Sequence, residues 1–147
     1  MKNDLIVVCG GGGFIGGHLV ADLRRQGFTR IRSVDRKPQT DWYQRFPDVE
    51  NLVLDLQDKG ACYQAVQGAR EVYNLAADMG GMGFIENNKA LCMITVLINT
   101  HMCMAAKDAG VERLDREVLL HVHGHRVDDV AGSTTPARAA FTSVMPV

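Results

Sequence analysis

Gly10, Gly13 and Gly16 stand three apart in the run Cys9-Gly10-Gly11-Gly12-Gly13-Phe14-Ile15-Gly16, and Asp35 follows about 20 residues after the last of them. That spacing suits the holding of a dinucleotide. The first glycine permits a tight turn, the second lets backbone approach a pyrophosphate, and the third lets a helix pack against a strand. The start of that helix offers unpaired N–H groups and a partial positive charge to the phosphates. Asp35 can accept both ribose hydroxyls of an adenosine, which favours NAD over its 2′-phosphorylated analogue. Arg36 and Lys37 come next and could instead meet a phosphate. An incidental glycine turn and a solvated strand-end carboxylate are the plainer readings of the same residues.

The elements that must position these groups are legible on either side. Leu5 to Cys9 is an apolar run rich in β-branched residues and reads as a strand buried on both faces. Phe14-Ile15 open a helical pattern that continues through Leu19, Val20 and Leu23, and Gly27 stops it. Ile31 to Asp35 forms a second strand. Residues 38–48, with Pro38, Trp42, Phe46 and Pro47, read as an irregular connection carrying anchoring aromatics. Asn51 to Leu54 make a third strand, followed by Asp55-Leu56-Gln57-Asp58. An acid at that edge could meet an adenine amino group, and Asp58 is equally a helix N-cap. A helix over 59–67, a stop at Gly68 and a strand from Glu71 to Leu75 complete the rhythm of a parallel sheet wrapped by helices.

Asn74-Leu75-Ala76-Ala77 closes the fourth strand in small residues, which let a flat cofactor pass close to backbone. Asp78-Met79-Gly80-Gly81-Met82-Gly83-Phe84 follows and suits a substrate-facing lip of backbone and soft apolar contacts, or a plain surface turn. From Asn87 to Ala109 the pattern is helical. Leu91, Ile94, Leu97, Ile98, Met102 and Ala105 share one broad face, with Met93, Val96 and Met104 elsewhere. A helix apolar on most sides is covered by more than one neighbour, so the sheet and a second subunit are expected against it, with stacked core residues of a monomer as the plainer reading.

Composition narrows the classes. The 147 residues give room for one domain, with 46% apolar and 22% charged residues, as in an ordinary globular protein. A formal net charge of −1 makes no electrostatic case for nucleic acid or an anionic membrane. No apolar stretch reaches spanning length, and the N-terminus lacks a signal-peptide layout. Cys9, Cys62, Cys92 and Cys103 show no paired spacing and read as reduced thiols of a cytoplasmic protein, without a metal or disulfide role.

Together these residues resemble the extended short-chain dehydrogenase/reductase family of NAD-dependent nucleotide-sugar epimerases and dehydratases. The glycine run looks like its glycine loop, with Cys9 where threonine is commoner. Asp35 matches its ribose-binding acid and Asp55-Leu56 its pair beside adenine. The stretch from Asn74 to Asn87, NLAADMGGMGFIEN, joins a family-general strand end to a methionine–glycine loop. The resemblance covers residues 5 to about 113. It implies an α/β fold, a Rossmann-like parallel sheet flanked by helices, truncated after the fourth or fifth strand. It implies NAD held by Gly10, Gly13, Phe14, Ile15, Gly16, Asp35, Arg36, Asp55, Leu56, Ala76 and Ala77. It also implies a GDP-mannose-like nucleotide sugar against Met79, Gly80 and Gly81; the homodimer through the 87–109 helix is expected from that helix's apolar faces instead.

The family's catalytic Tyr-x-x-x-Lys pair has no counterpart. Tyr43, Tyr63 and Tyr73 are followed four residues later by Pro47, Gln67 and Ala77, and no lysine follows Lys107. The tyrosine, its pKa lowered by the lysine, takes the proton from the sugar hydroxyl as hydride leaves, so no catalytic residue is assigned. Residues 114–147 also differ in composition, lacking Lys, Tyr, Trp, Asn, Gln, Ile and Cys. The expectation is an NAD-binding domain over 1–113 and a divergent tail over 114–147, exposed or disordered, arising from a frame change or truncation. His121, His123 and His125 would align on one face of a strand, but no fourth ligand accompanies them. The non-enzymatic alternatives are a dinucleotide-binding module without chemistry and an unstable fragment.

Overall fold

A computed structural model describes residues 2–77, 89–116 and 144–145. Strand β1 (Ile6–Cys9) is the centre of the molecule, and every one of its side chains is buried. Strands alternate their side chains between faces, and β1 fills both layers. Val7 and Cys9 join a core with Cys62, Val66, Ile98 and Met102, whereas Ile6 and Val8 pack with Val20, Leu23 and Tyr73. The continuous apolar run of the sequence is thus a strand covered on two sides.

Around β1 lie α1 (Phe14–Arg25), β2 (Ile31–Asp35), a single 3₁₀ turn (Gln39–Asp41), β3 (Glu50–Val53), α2 (Lys59–Val66) and β4 (Glu71–Asn74). Helix α3 (Lys89–Asp108), β5 (Arg113–Arg116) and a two-residue β6 (Val144–Met145) follow. The sheet order is β3-β2-β1-β4-β5-β6; the first five strands run parallel and β6 pairs antiparallel with β5. This is the Rossmann-like parallel sheet flanked by helices. Strand β5 carries Leu114, buried in the core, and Asp115, which also is buried, across the expected 113/114 boundary.

Two features of this topology position a site. The chain builds outward from β1 through β2 and β3, then crosses back to β4 on its other side. Ligands sit outside the carboxyl ends of the strands at such a switch point. The register aligns those ends: Cys9 lies beside Val34 and beside Asn74, and Asp35 beside Val53.

Glycines at φ +87, +72 and +68, Gly27, Gly68 and Gly110, follow α1, α2 and α3 in turn, the left-handed conformation that closes a helix without a Cβ penalty. Asp58 is the N-cap of α2, its carboxylate accepting from the Gly60 and Ala61 N–H groups at 3.2 and 3.3 Å. The irregular connection is tied down as its aromatics suggested. Arg24 stacks on Phe46 and forms a two-pronged ion pair with Asp48, which holds the Asp48 carboxyl below its ordinary range.

One packing expectation needs correction. Leu97 does not share the buried face of the long helix. Thr95, Ile98, Met102, Ala105 and Ala106 are buried against sheet and α2, while Leu97 is 43% exposed beside Met93, Val96 and Met104. At 100° per residue Leu97 falls on the Met93 side, and the burying surface spans only the opposite half. Among the described residues no helix is long and apolar enough to cross a membrane.

Candidate functional site

The glycine loop is a turn in which nearly every glycine touches something. Gly10 adopts φ +78, and a Cβ there would stand 2.8 Å from the Leu75 carbonyl oxygen. Its N–H and that of Gly11 both donate to the Val34 carbonyl, at 2.7 and 3.0 Å, pinning the turn to β2. A Cβ on Gly16 would overlap the Gly10 carbonyl, so the first turn of α1 lies directly on the loop backbone. Gly11 and Gly12 are equally constrained: a Cβ would overlap the Ser33 hydroxyl at the first and meet the Trp42 ring at 2.8 Å at the second. The sequence reading gave these two no role.

Gly13 differs. Its backbone is ordinary extended, φ −80, and a Cβ would meet only the Gly10 carbonyl oxygen, at 3.3 Å. The rest of its surroundings is open and faces a cleft of about 280 Å³ at the carboxyl edge of the sheet. As the N-cap of α1 it supplies no side-chain acceptor, and the first turn holds no acid. Among the described residues no side chain caps the start of α1, which leaves its N–H groups in the condition for receiving an anion.

Asp35 lines the same cleft, its carboxylate oriented by backbone. Its two carboxylate oxygens accept from Gly12 N–H at 3.1 Å and Lys37 N–H at 3.0 Å. An ionised carboxylate has about four acceptor sites, so each oxygen retains room for a hydroxyl. Trp42 closes the loop from behind, donating its indole N–H to the Lys37 carbonyl at 2.9 Å, while Tyr43 N–H donates to the Gly12 carbonyl.

Of the expected cofactor residues, Gly10, Gly13, Asp35, Arg36, Asp55, Leu56, Ala76 and Ala77 line this one cleft. Phe14, Ile15 and Gly16 do not. Gly16 lies beneath the loop, and the Phe14 ring packs edge-on against His18 and Tyr43, 4.6 and 4.8 Å between centroids. Lys37, Leu54, Gln57, Leu75 and Ile98 line it too; Lys37 was expected only as an alternative phosphate contact and Leu75 only as part of the small-residue strand end, and the other three had no expected cofactor role. The first four adjoin named residues at strand ends, a signal adjacency carried; Ile98 comes from a helix far along the chain and had none. Met79, Gly80 and Gly81 lie outside the described residues, as do His121, His123 and His125. Among the described residues no group of acids, histidines and thiols could hold a metal.

The neighbouring chemistry is quiet. Cys9, beneath the glycine loop, is fully buried, and burial drives its thiol pKa far upward; Cys62 is pushed up to about 11 by the same cause. Both are inert protonated thiols at neutral pH. No tyrosine lines the cleft: Tyr43 packs on Phe14, Tyr63 donates to Asp108 at 2.5 Å between α2 and α3, and Tyr73 is buried in the opposite layer.

Known proteins share this arrangement. A family model described as the NAD dependent epimerase/dehydratase family matches residues 6–121. The chain belongs to that family. It is 37% identical over 113 residues to the GDP-mannose 3,5-epimerase of Arabidopsis thaliana, a match covering 76% of this chain and 30% of that protein. Among solved structures it is similar to the Thermus thermophilus UDP-glucose 4-epimerase in complex with NAD, with a TM-score of 0.64 and 25% identity, covering 74% of this chain and 35% of that one. A short-chain dehydrogenase/reductase superfamily protein of Agrobacterium tumefaciens with bound NAD gives a TM-score of 0.62 at 28% identity, covering 76% and 31%. The chain thus spans about a third of the length of these relatives.

Proposed function

We propose that this chain is the NAD-binding part of a nucleotide-sugar epimerase acting on a GDP-mannose-like substrate, and that it performs no turnover by itself. The observation that carries the binding half is the convergence of the glycine loop, Asp35, Asp55-Leu56 and Ala76-Ala77 on one cleft. The open side of Gly13 fits a pyrophosphate, which its backbone and the N–H groups of Phe14 and Ile15 would receive. Asp35, held by two backbone donors, would accept the adenosine ribose hydroxyls. Leu54 and Leu56 would sandwich the adenine with Asp55 at its polar edge, and Ala76 and Ala77 would leave room beside the β4 end. Bound there, NAD supplies a hydride acceptor. Met79, Gly80 and Gly81 would contact the hexose.

The absence of turnover rests on the missing Tyr-x-x-x-Lys pair and on the positions of the three tyrosines, none of which lines the cleft. General acid–base assistance is worth about 10²- to 10⁴-fold per positioned group. The same reading includes a homodimer formed through α3, and a cytoplasmic setting in which the buried Cys9 and Cys62 remain free thiols.

Calorimetric titration with NAD and with its 2′-phosphorylated analogue tests the binding half. NAD binds more tightly, because Asp35 repels a phosphate; equal affinity would hand the role to Arg36 and Lys37. Incubation with NAD and GDP-mannose in deuterated water tests the other half. No deuterium enters the hexose; incorporation above a protein-free control would show a working base in this chain.

A further inference from the structure

From Arg36 to Asp48 the chain is exposed or half-buried except at Trp42, which is only 8% exposed. What covers it is the backbone that orients Asp35. Gly12 and Lys37 donate the two N–H groups that the Asp35 carboxylate accepts, at 3.1 and 3.0 Å. Each of these residues is also held at its other backbone group. The Lys37 carbonyl accepts from the Trp42 indole N–H at 2.9 Å, and the Gly12 carbonyl accepts from the Tyr43 N–H at 2.9 Å. The indole ring itself lies against Gly12, where a Cβ would stand 2.8 Å from its Cγ and Cδ1 and 3.0 Å from the Asp35 Cβ. Pro38 follows Lys37 and restricts that residue to extended backbone.

The connection that delivers Trp42 is anchored away from the glycine loop. Gln39 Nε2 donates to the Asn51 carbonyl on β3 at 3.0 Å, and Arg45 donates to Gln39 Oε1 at 3.0 Å. Trp42 therefore ties both donors of Asp35 to a separately fixed part of the sheet. We propose that Trp42 is a positioning residue for Asp35: it fixes the two backbone donors that aim the carboxylate, and through them sets how strongly the chain recognises the 2′-hydroxyl of an adenosine ribose. This role rests on the nucleotide reading of the cleft and adds to it the device that makes Asp35 selective. A carboxylate free to rotate gives up part of each hydroxyl contact to ordering entropy, and one aimed in advance keeps it.

The test compares NAD with its 2′-deoxyadenosine counterpart by calorimetric titration, because only NAD offers the hydroxyl in question. A hydrogen bond to a charged group is worth about tenfold or more in affinity. The wild-type chain prefers NAD by about that factor, and Asp35→Ala loses the preference. Trp42→Phe keeps a ring near Gly12 but removes the N–H. It cuts the preference to about threefold or less, while the deoxy compound binds within about twofold of its wild-type affinity. A ring that merely filled space would weaken both nucleotides alike when trimmed; that result overturns the proposal, as does an undiminished preference. On the Asp35→Ala background Trp42→Phe changes NAD affinity by less than about twofold, and a full additional loss there also overturns it. Trp42 is the chain's one tryptophan, so growth on benzothienylalanine replaces it alone by an isostere without the N–H. The same collapse of preference is expected in that chain, whose ring volume is unchanged, and it decides the matter if Trp42→Phe fails to fold. A wild-type chain that binds no NAD overturns the nucleotide reading and the role of Trp42 together. A wild-type preference retained in the benzothienylalanine chain overturns the role of Trp42 alone.

Discussion

Gly13 and Gly16 are both glycines of the nucleotide loop, yet the structure separates what each is for, and replacing each by alanine tests that separation. At Gly13 the backbone is ordinary, φ −80, and the new methyl meets only the Gly10 carbonyl oxygen at 3.3 Å. Narrowing the unfolded ensemble gains about 0.4–1 kcal/mol. Replacing glycine by alanine as N-cap costs about as much, so stability changes by less than about 1 kcal/mol. The methyl nonetheless fills the open side facing the cleft. It would hold the pyrophosphate off the loop and forfeit at least one hydrogen bond to a charged group, worth about 1.5–3 kcal/mol. Affinity for NAD falls by about ten- to a hundredfold.

At Gly16 the outcome differs. A Cβ there overlaps the Gly10 carbonyl oxygen and approaches the Gly11 Cα at 2.8 Å. Both obstacles are backbone and neither can rotate away, so overpacking of about 1–3 kcal/mol is expected, and the melting temperature falls with the affinity. Calorimetric titration with NAD, run beside thermal melting of both variants, reads the two effects separately. Wild-type affinity in Gly13→Ala would remove the loop from the site. A Gly16→Ala chain as stable as wild type would refute the close packing of α1 on the turn.

Alkaline stability follows from the buried thiols. Unfolded cysteine ionises near pH 8.5, whereas Cys62 in the folded chain is pushed up to about 11. The stability this group contributes is complete below about pH 8.5 and is lost as pH rises toward 11. Cys62→Ala should flatten the decline of melting temperature over that window, and an unchanged slope would show that the thiol is not held protonated by the fold. Asn74, fully buried, donates to the Asn99 side chain at 2.8 Å, while its carbonyl oxygen has no partner among the described residues. Asn99→Ala removes the one acceptor and should cost about 1–3 kcal/mol, a drop of several degrees in thermal melting; an unaltered melting temperature would mean the carboxamide is satisfied elsewhere.

The sequence by itself determined the frame and most of the cleft. The run from Leu5 to Cys9 could only be a strand covered on both faces, and the glycines after it could only turn there, because those constraints are local in the chain. Asp35, Asp55, Ala76 and Ala77 were legible for a related reason: parallel strands place their carboxyl ends along one edge, so residues that end strands arrive together. Tertiary structure alone decided the rest. Gly11 and Gly12 matter because Ser33 and Trp42 come to rest against them, and nothing in the loop's own residues announces those neighbours. Ile98 reaches the cleft from a helix that crosses behind β4. Leu97 turned outward because α3 has one burying side, and an apolar residue near the border of a helical stripe can fall on either side of it. Periodicity tells which residues share a face; only packing against α2 and the sheet tells which face is inside.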